Sequence, residues 1–159
     1  MLNHSLKTGL TFGLTSGVIT TLGLLVGLTS GTASRLAVLG GILTIALADA
    51  FSDALGIHVS EEAEGVHTQR QIWQSTFATF FSKFFFALTF AVPVLLFDLN
   101  LAAVVAIVWG LLILGIANFF VARMGKIAPW KVIGEHFLIA LIVIVASYFV
   151  GNLISIFLK

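Results

Sequence analysis

Five apolar stretches, at residues 8–29, 36–57, 80–97, 100–121 and 135–157, run through a chain of only 159 residues. Each is long enough to cross the hydrocarbon of a bilayer as an α-helix. The third and fourth are separated by Asp98, Leu99 and Asn100 alone, room only for a tight turn between antiparallel neighbours, so they should form a helical hairpin. Only 9% of residues are charged and 59% are apolar, whereas a soluble domain carries roughly 25% charged residues; a water-facing surface cannot be built from this composition. The expected fold class is an all-α integral membrane protein: one transmembrane domain over 1–159 with five transmembrane helices, the first stretch being a retained helix rather than a cleaved leader.

Short loops rich in Lys and Arg mark the cytoplasmic side. A cytoplasmic N-terminus places Lys7, Arg70, Lys83, Arg123, Lys126 and Lys131 inside and leaves Arg35 and Lys159 outside, so the C-terminus is expected outside. The membrane is the cell or inner membrane in a prokaryote and an organelle membrane in a eukaryote. With no cysteine, disulfides and thiolate metal sites are excluded, and any metal must be held by oxygen and imidazole ligands. A phosphate-cradling glycine loop ending in Lys and Ser/Thr is missing, which argues against nucleotide-driven pumping. No histidine lies deep within a span, so a nucleophile–base pair at membrane depth is missing too, and the chain is not expected to be an enzyme. Nothing points to nucleic acid.

The first helix carries glycines at four-residue spacing, Gly9, Gly13 and Gly17, then Gly23, Gly27 and Gly31, on nearly one face. Such a ridge lets another backbone approach closely, either within the chain or as the seam of a homodimer. Between the second and third spans, residues 58–79 set Ile72, Trp73, Phe77 and Phe80 among Gln69, Arg70, Gln71, Gln74 and Ser75, a pattern that fits either an interfacial helix or an N-terminal extension of the third span.

Chemistry concentrates in the second helix. Five of the seven acidic residues fall within 49–64. Asp49 and Asp53, four apart, share one helical face inside an apolar span, where each carboxylate costs about 2.5–3.5 kcal/mol at the helix centre. Two on one face imply a partner or a path. At about 1.5 Å per residue, Asp49 should lie ~12 Å and Asp53 ~6 Å below the cytoplasmic end, with Ser16 of the first helix level with Asp49. Thr15, Thr20 and Thr21 add hydroxyls nearby, and the set offers hard oxygen ligands to a cation. The bland alternative is that Asp53 caps near the interface or pairs with Lys83. Just beyond, His58, Glu61, Glu62, Glu64 and His67 have ligand-compatible helical spacing, and mixed imidazole and carboxylate suits iron(II), manganese, zinc or cobalt; the alternative is a solvated acidic face. Asn118 should hydrogen-bond across helices, Glu135 should occupy the N-terminus of the fifth span, and His4 should be a solvated tail residue.

The second-helix segment LADAFSDALGIHVSEEAE, Leu47 to Glu64, resembles the signature of the vacuolar iron transporter family, close to L-A-D-G-x-S-M-A-x-G-E-Y-x-S, through Leu47, Ala48, Asp49, Ser52, Ala54, Gly56 and Ser60. The first-helix stretch TSGVITTLGLLVGLTSG is similar to that family's N-D-G-L-V-T-T-x-x-x-V-A-G. The resemblance implies a short member lacking the family's long cytoplasmic metal-binding helices. It also implies a homodimer with a cation path along its axis, and export of ferrous iron or manganese from the cytoplasm in exchange for protons. Three positions depart from the pattern: the first-helix aspartate falls on Ser16, the second-helix methionine on Asp53, and the glutamate after glycine on Ile57. One carboxylate is lost and one gained, and the thioether is gone, which favours harder ions.

The expected function is therefore divalent-cation transport centred on Asp49, Asp53 and Ser16, with His58, Glu61, Glu62, Glu64 and His67 as further metal ligands. Iron(II) or manganese is the expected cargo, no cofactor is permanently bound, and protons carried by the aspartates are the expected counter-ion. The alternative is a non-transporting membrane metal sensor or scaffold.

Overall fold

A computed structural model describes residues 4–157. All regular structure in it is helical: α1 (His4–Thr32), α2 (Arg35–Glu64), α3 (Gln69–Thr89), α4 (Ala91–Leu96), α5 (Leu99–Gly125) and α6 (Pro129–Phe157). Five of these units are long and apolar enough to cross a membrane, α3 and α4 together forming one span over Gln69–Leu96. The break between them falls at Phe90, and Pro93 accounts for it: its missing N–H removes the helical bond to the Thr89 carbonyl.

Local chemistry sets the helix ends. Ser34 caps α2 by accepting from Ala37 N at 3.3 Å, and Gly65 ends it in the left-handed region at φ 67°, where glycine meets no Cβ penalty. Thr68 and Gln71 then form a reciprocal capping box that starts α3. Residues 58–64 thus continue α2, while the amphipathic stretch from Gln69 onward is the extended N-terminus of α3. Phe97 and Asp98 alone link α4 to α5, Asp98 capping the latter through Leu101 N at 3.1 Å; the hairpin is present. The last span starts earlier than its apolar pattern, at Pro129, whose fixed φ suits a first helical position. Glu135 consequently sits beyond the first turn and caps nothing, contrary to expectation.

The first helix is the hub. It packs on α2, α3, α5 and α6, and 50% of its most apolar window is buried against 11% for α6. Val18, Leu22 and Leu25 of α1 are fully buried against Val38 and Ile42 of α2, Phe90 and Val94 at the α3–α4 break, and Ala106 and Leu114 of α5.

The glycine ladders serve packing within the chain, and they serve two different neighbours. A Cβ on Gly9 would run into the Ser75 carbonyl, one on Gly13 into that of Thr79, and one on Gly17 would lie 3.1 Å from the Lys83 Cα, so this ladder receives α3. A Cβ on Gly23 would meet Val143 Cγ1 at 2.8 Å, on Gly27 the Ser147 carbonyl at 3.4 Å, and on Gly31 that of Gly151 at 3.1 Å, so the second ladder receives α6. Both registers rise together, so α3 and α6 run parallel to α1. In a bilayer, where lipid offers no solvent-driven force to hold helices together, such close backbone approach is one of the sources of cohesion.

Candidate cation site

The parallel register of α1 and α3 decides where Lys83 goes. Ser75, Thr79 and Lys83 stand one turn apart on α3 against Gly9, Gly13 and Gly17, which makes Lys83 the next member of a close-packed row. Its side chain leaves α3 beside Gly17 and is 1% exposed. The ammonium ends among three oxygen-bearing residues from two other helices. It lies 2.5 Å from Asp49 Oδ2, contacts Asp53 Oδ2, and donates to Ser16 Oγ at 2.9 Å. The Ser16 hydroxyl in turn donates to Asp53 Oδ2 at 2.6 Å. The approach to Asp49 is a charge contact without hydrogen-bond alignment, since Oδ2 of that residue has no hydrogen-bond partner.

The two aspartates do share a face of α2, as their spacing requires. Ser16 meets Asp53, not Asp49, with which it was expected to be level. Thr20 and Thr21 do not join: Thr20 Oγ1 donates to the Ser16 carbonyl at 2.9 Å, and Thr21 Oγ1 is buried without a partner. Lys83 was expected among the cytoplasmic cations or, alternatively, as the partner of Asp53; it is paired with Asp53 inside the bundle, which removes it from the charge asymmetry and leaves Lys7, Arg70, Arg123, Lys126 and Lys131 at one end and Arg35 at the other.

An ammonium at full burial needs compensation, and two carboxylates with a hydroxyl supply it. The carboxylates keep partial access to the outside, with side-chain exposures of 28% for Asp49 and 20% for Asp53. For Asp49 that access runs into a shallow groove of about 530 Å³ between α1 and α2, walled by Leu24, Gly41, Thr44, Ala48 and Ser52. Asp49 thus stands between a buried lysine on one side and an open groove on the other.

The histidine and glutamate cluster divides. His58 Nδ1 donates to Thr76 Oγ1 at 2.9 Å, whose own hydrogen goes to the Ile72 carbonyl, while His58 Nε2 lies 3.5 Å from Glu62. His67 Nε2 pairs with Glu64 at 3.0 Å, its Nδ1 lies 3.5 Å from the Ser5 hydroxyl, and its ring stacks with that of His4. Glu61 turns inward, 5% exposed, with Oε2 unpartnered. Helical spacing of three and four residues yields pairs here, and among the described residues no three His, Asp or Glu side chains converge to hold a metal ion. Asn118 is buried but bonds the Leu114 carbonyl of its own helix at 2.8 Å, not another helix.

Compared with known proteins, the chain matches no family model and no curated sequence. The class that the fold and the site define is a helical protein with five helices long and apolar enough to cross a membrane and a Lys–Asp–Asp–Ser constellation built around a buried lysine.

Proposed function

We propose that the protein is a divalent-cation carrier of the membrane in which Asp49 and Asp53, with the Ser16 hydroxyl, hold the cation in transit. The observation that carries this reading is the convergence of two carboxylates of one apolar span on a single cation, the Lys83 ammonium, next to an open groove. In the resting arrangement Lys83 takes the place a metal ion would fill. An entering divalent cation offers the carboxylates twice the charge and displaces the ammonium, so the lysine keeps the carboxylates neutralised whenever no cargo is present.

The chemistry of the pocket, oxygen ligands without sulfur or imidazole, suits hard or borderline ions, and iron(II) and manganese are the cargo we assign, leaving the cytoplasm in exchange for protons. The N-terminus is cytoplasmic in this reading, consistent with the five cations at that end. Asp49 opens sideways, where lipid is a poor neighbour for a carboxylate; a second copy of the chain laid over the α1–α2 groove shields it and encloses a path along the dimer axis.

Reconstituted into liposomes, the protein should admit iron(II) or manganese and shift an internal pH dye, and Asp49→Asn or Asp53→Asn should abolish both signals. Flux that survives either substitution would refute the site. A second reading rests on the completeness of the Lys83 contacts: the constellation is a static staple joining α1, α2 and α3 in a sensor or scaffold. In that case Asp53→Asn lowers the melting temperature and wild-type protein carries no ion.

A further inference from the structure

The outer face of α3 carries a ridge of stacked rings. Trp73, Phe77, Phe81 and Phe85 follow at four-residue intervals, with successive centroids 5.4, 6.5 and 6.2 Å apart, and each is about half exposed. A groove runs along either flank. One, of about 460 Å³, lies between α1 and α3 over Leu6, Leu10 and Ala78 and ends at Arg70. The other, of about 670 Å³, lies between α2 and α3 over Phe51, Leu55 and Phe80 and ends, at the same end of the bundle, at His58 and Thr76. Trp73, Phe77 and Phe81 belong to both walls. From Arg70 to Phe81 the ridge rises about 16 Å at ~1.5 Å per residue, roughly half of a ~30 Å hydrocarbon core and hence the depth of one leaflet.

The polar ends are unequal. His58 is engaged by Thr76 and Glu62, whereas the exposed Arg70 guanidinium forms no hydrogen bond or ion pair with any described residue. No carboxylate lines either groove. A bare guanidinium over an apolar furrow, at the end of the bundle that also carries Lys7, Arg123, Lys126 and Lys131, suits a phosphate, which it can grip through two parallel N–H bonds. The acid at the end of the wider groove, Glu62, is already paired with His58, so the charge left unpaired at the site is the Arg70 guanidinium. A helix from another chain, about 10 Å across, would rest on the ridge and leave both furrows empty.

We propose that this face binds one anionic diacyl phospholipid, its phosphate on Arg70 and one acyl chain in each groove, straddling the Trp73–Phe77–Phe81 ridge. The inference is independent of cation transport. It has a bearing on it, because the wider groove shares Ala48 and Ser52 with the turns of α2 that carry Asp49 and Asp53, so a bound chain steadies the helix that holds the carboxylates.

The full chain in nanodiscs of mixed phosphatidylglycerol and phosphatidylcholine, released gently and weighed by native mass spectrometry, tests the proposal. Wild type should retain one phosphatidylglycerol per chain in preference to phosphatidylcholine. Arg70→Gln should cut that retention roughly tenfold, the effect of losing one charged hydrogen-bonded contact, while Arg123→Gln at the same end should not. Leu10→Trp, which fills the narrower groove, should reduce retention of the two-chain lipid and spare the single-chain lyso form. Equal retention of the two headgroups, an Arg70→Gln variant that retains as much as wild type, or a Leu10→Trp variant that still holds the two-chain lipid would each overturn it. Unchanged elution and melting of the three variants verifies that they are folded.

Discussion

Gly17 is the point on α1 across which Lys83 passes: a Cβ there would lie 3.1 Å from the Cα, Cγ and carbonyl oxygen of that lysine. The absence of one methyl group therefore fixes both how near α3 comes and whether the ammonium reaches the aspartates of α2. Gly17→Ala and Gly13→Ala should each cost about 1–3 kcal/mol, the usual penalty of overpacking, read as a fall in melting temperature in detergent. Gly40 and Gly56 of α2 have open space where a Cβ would go; alanine there should be neutral or gain up to ~1 kcal/mol from helix propensity.

Lys83→Met keeps the bulk and deletes the charge, leaving Asp49 and Asp53 facing each other without a cation. Loss of one partner from a buried ion pair costs about 3–5 kcal/mol, and partial exposure of the carboxylates places the expectation at the lower end. Adding Asp53→Asn to Lys83→Met should recover part of the loss. A double-mutant cycle on the melting curves measures this directly, and strict additivity would mean that the lysine and the aspartate do not interact.

Ser16 contributes one hydroxyl, donating to Asp53 and accepting from Lys83. Ser16→Ala should cost about 1 kcal/mol and weaken divalent-cation binding. Ser16→Asp places a third carboxylate beside the other two and should tighten manganese binding in a calorimetric titration; unchanged or weaker binding would show that the cation does not touch α1.

At the opposite end of the bundle, Arg35 Nη2 donates to the Phe97 carbonyl at 2.7 Å and ties the start of α2 to the linker between α4 and α5. Arg35→Gln should accelerate amide hydrogen exchange over residues 97–101 roughly fivefold, as expected for loss of a contact of about 1 kcal/mol, with little change in global stability.

The His58–His67 segment forms pairs, so its contribution to tight metal binding should be small. In an Asp49→Asn/Asp53→Asn background, His67→Ala should leave any remaining manganese binding unchanged within about fivefold, for a pair whose carboxylate is solvent-exposed is worth at most ~1 kcal/mol. A larger loss would show that Glu61, Glu64 and His67 close around the ion when it arrives.

Span number, hairpin and the pairing of Asp49 with Asp53 were legible because each follows from one-dimensional spacing: apolar length, a linker too short for anything but a turn, and a four-residue step. The pairing of Lys83 with Asp53 was legible only as an alternative to a cation site, and the burial of that lysine was not legible. Read along the chain it is a lysine near the start of an apolar stretch, and only the register of α3 against the glycine ladder of α1 carries it inward. Glycine periodicity announced close packing but could not say that the two ladders serve different partners, because α3 and α6 meet α1 at different heights. Asn118 and Glu135 went astray for smaller reasons: an amide can satisfy itself on its own helix, and Pro129 starts α6 a turn and a half before the apolar pattern does.

That α1 is the hub has a consequence for how the chain is made. Of the five described spans it is synthesised first, and nearly every other one packs on it, yet its glycine faces have no neighbours until α3, and later α6, have been made. During that interval the hub has only α2 beside it and carries two bare backbone seams. Assembly must therefore proceed in order of synthesis, with α3 filling the first seam and α6 the last, and any arrest before α6 leaves half of the central helix unclothed for quality-control proteases to find.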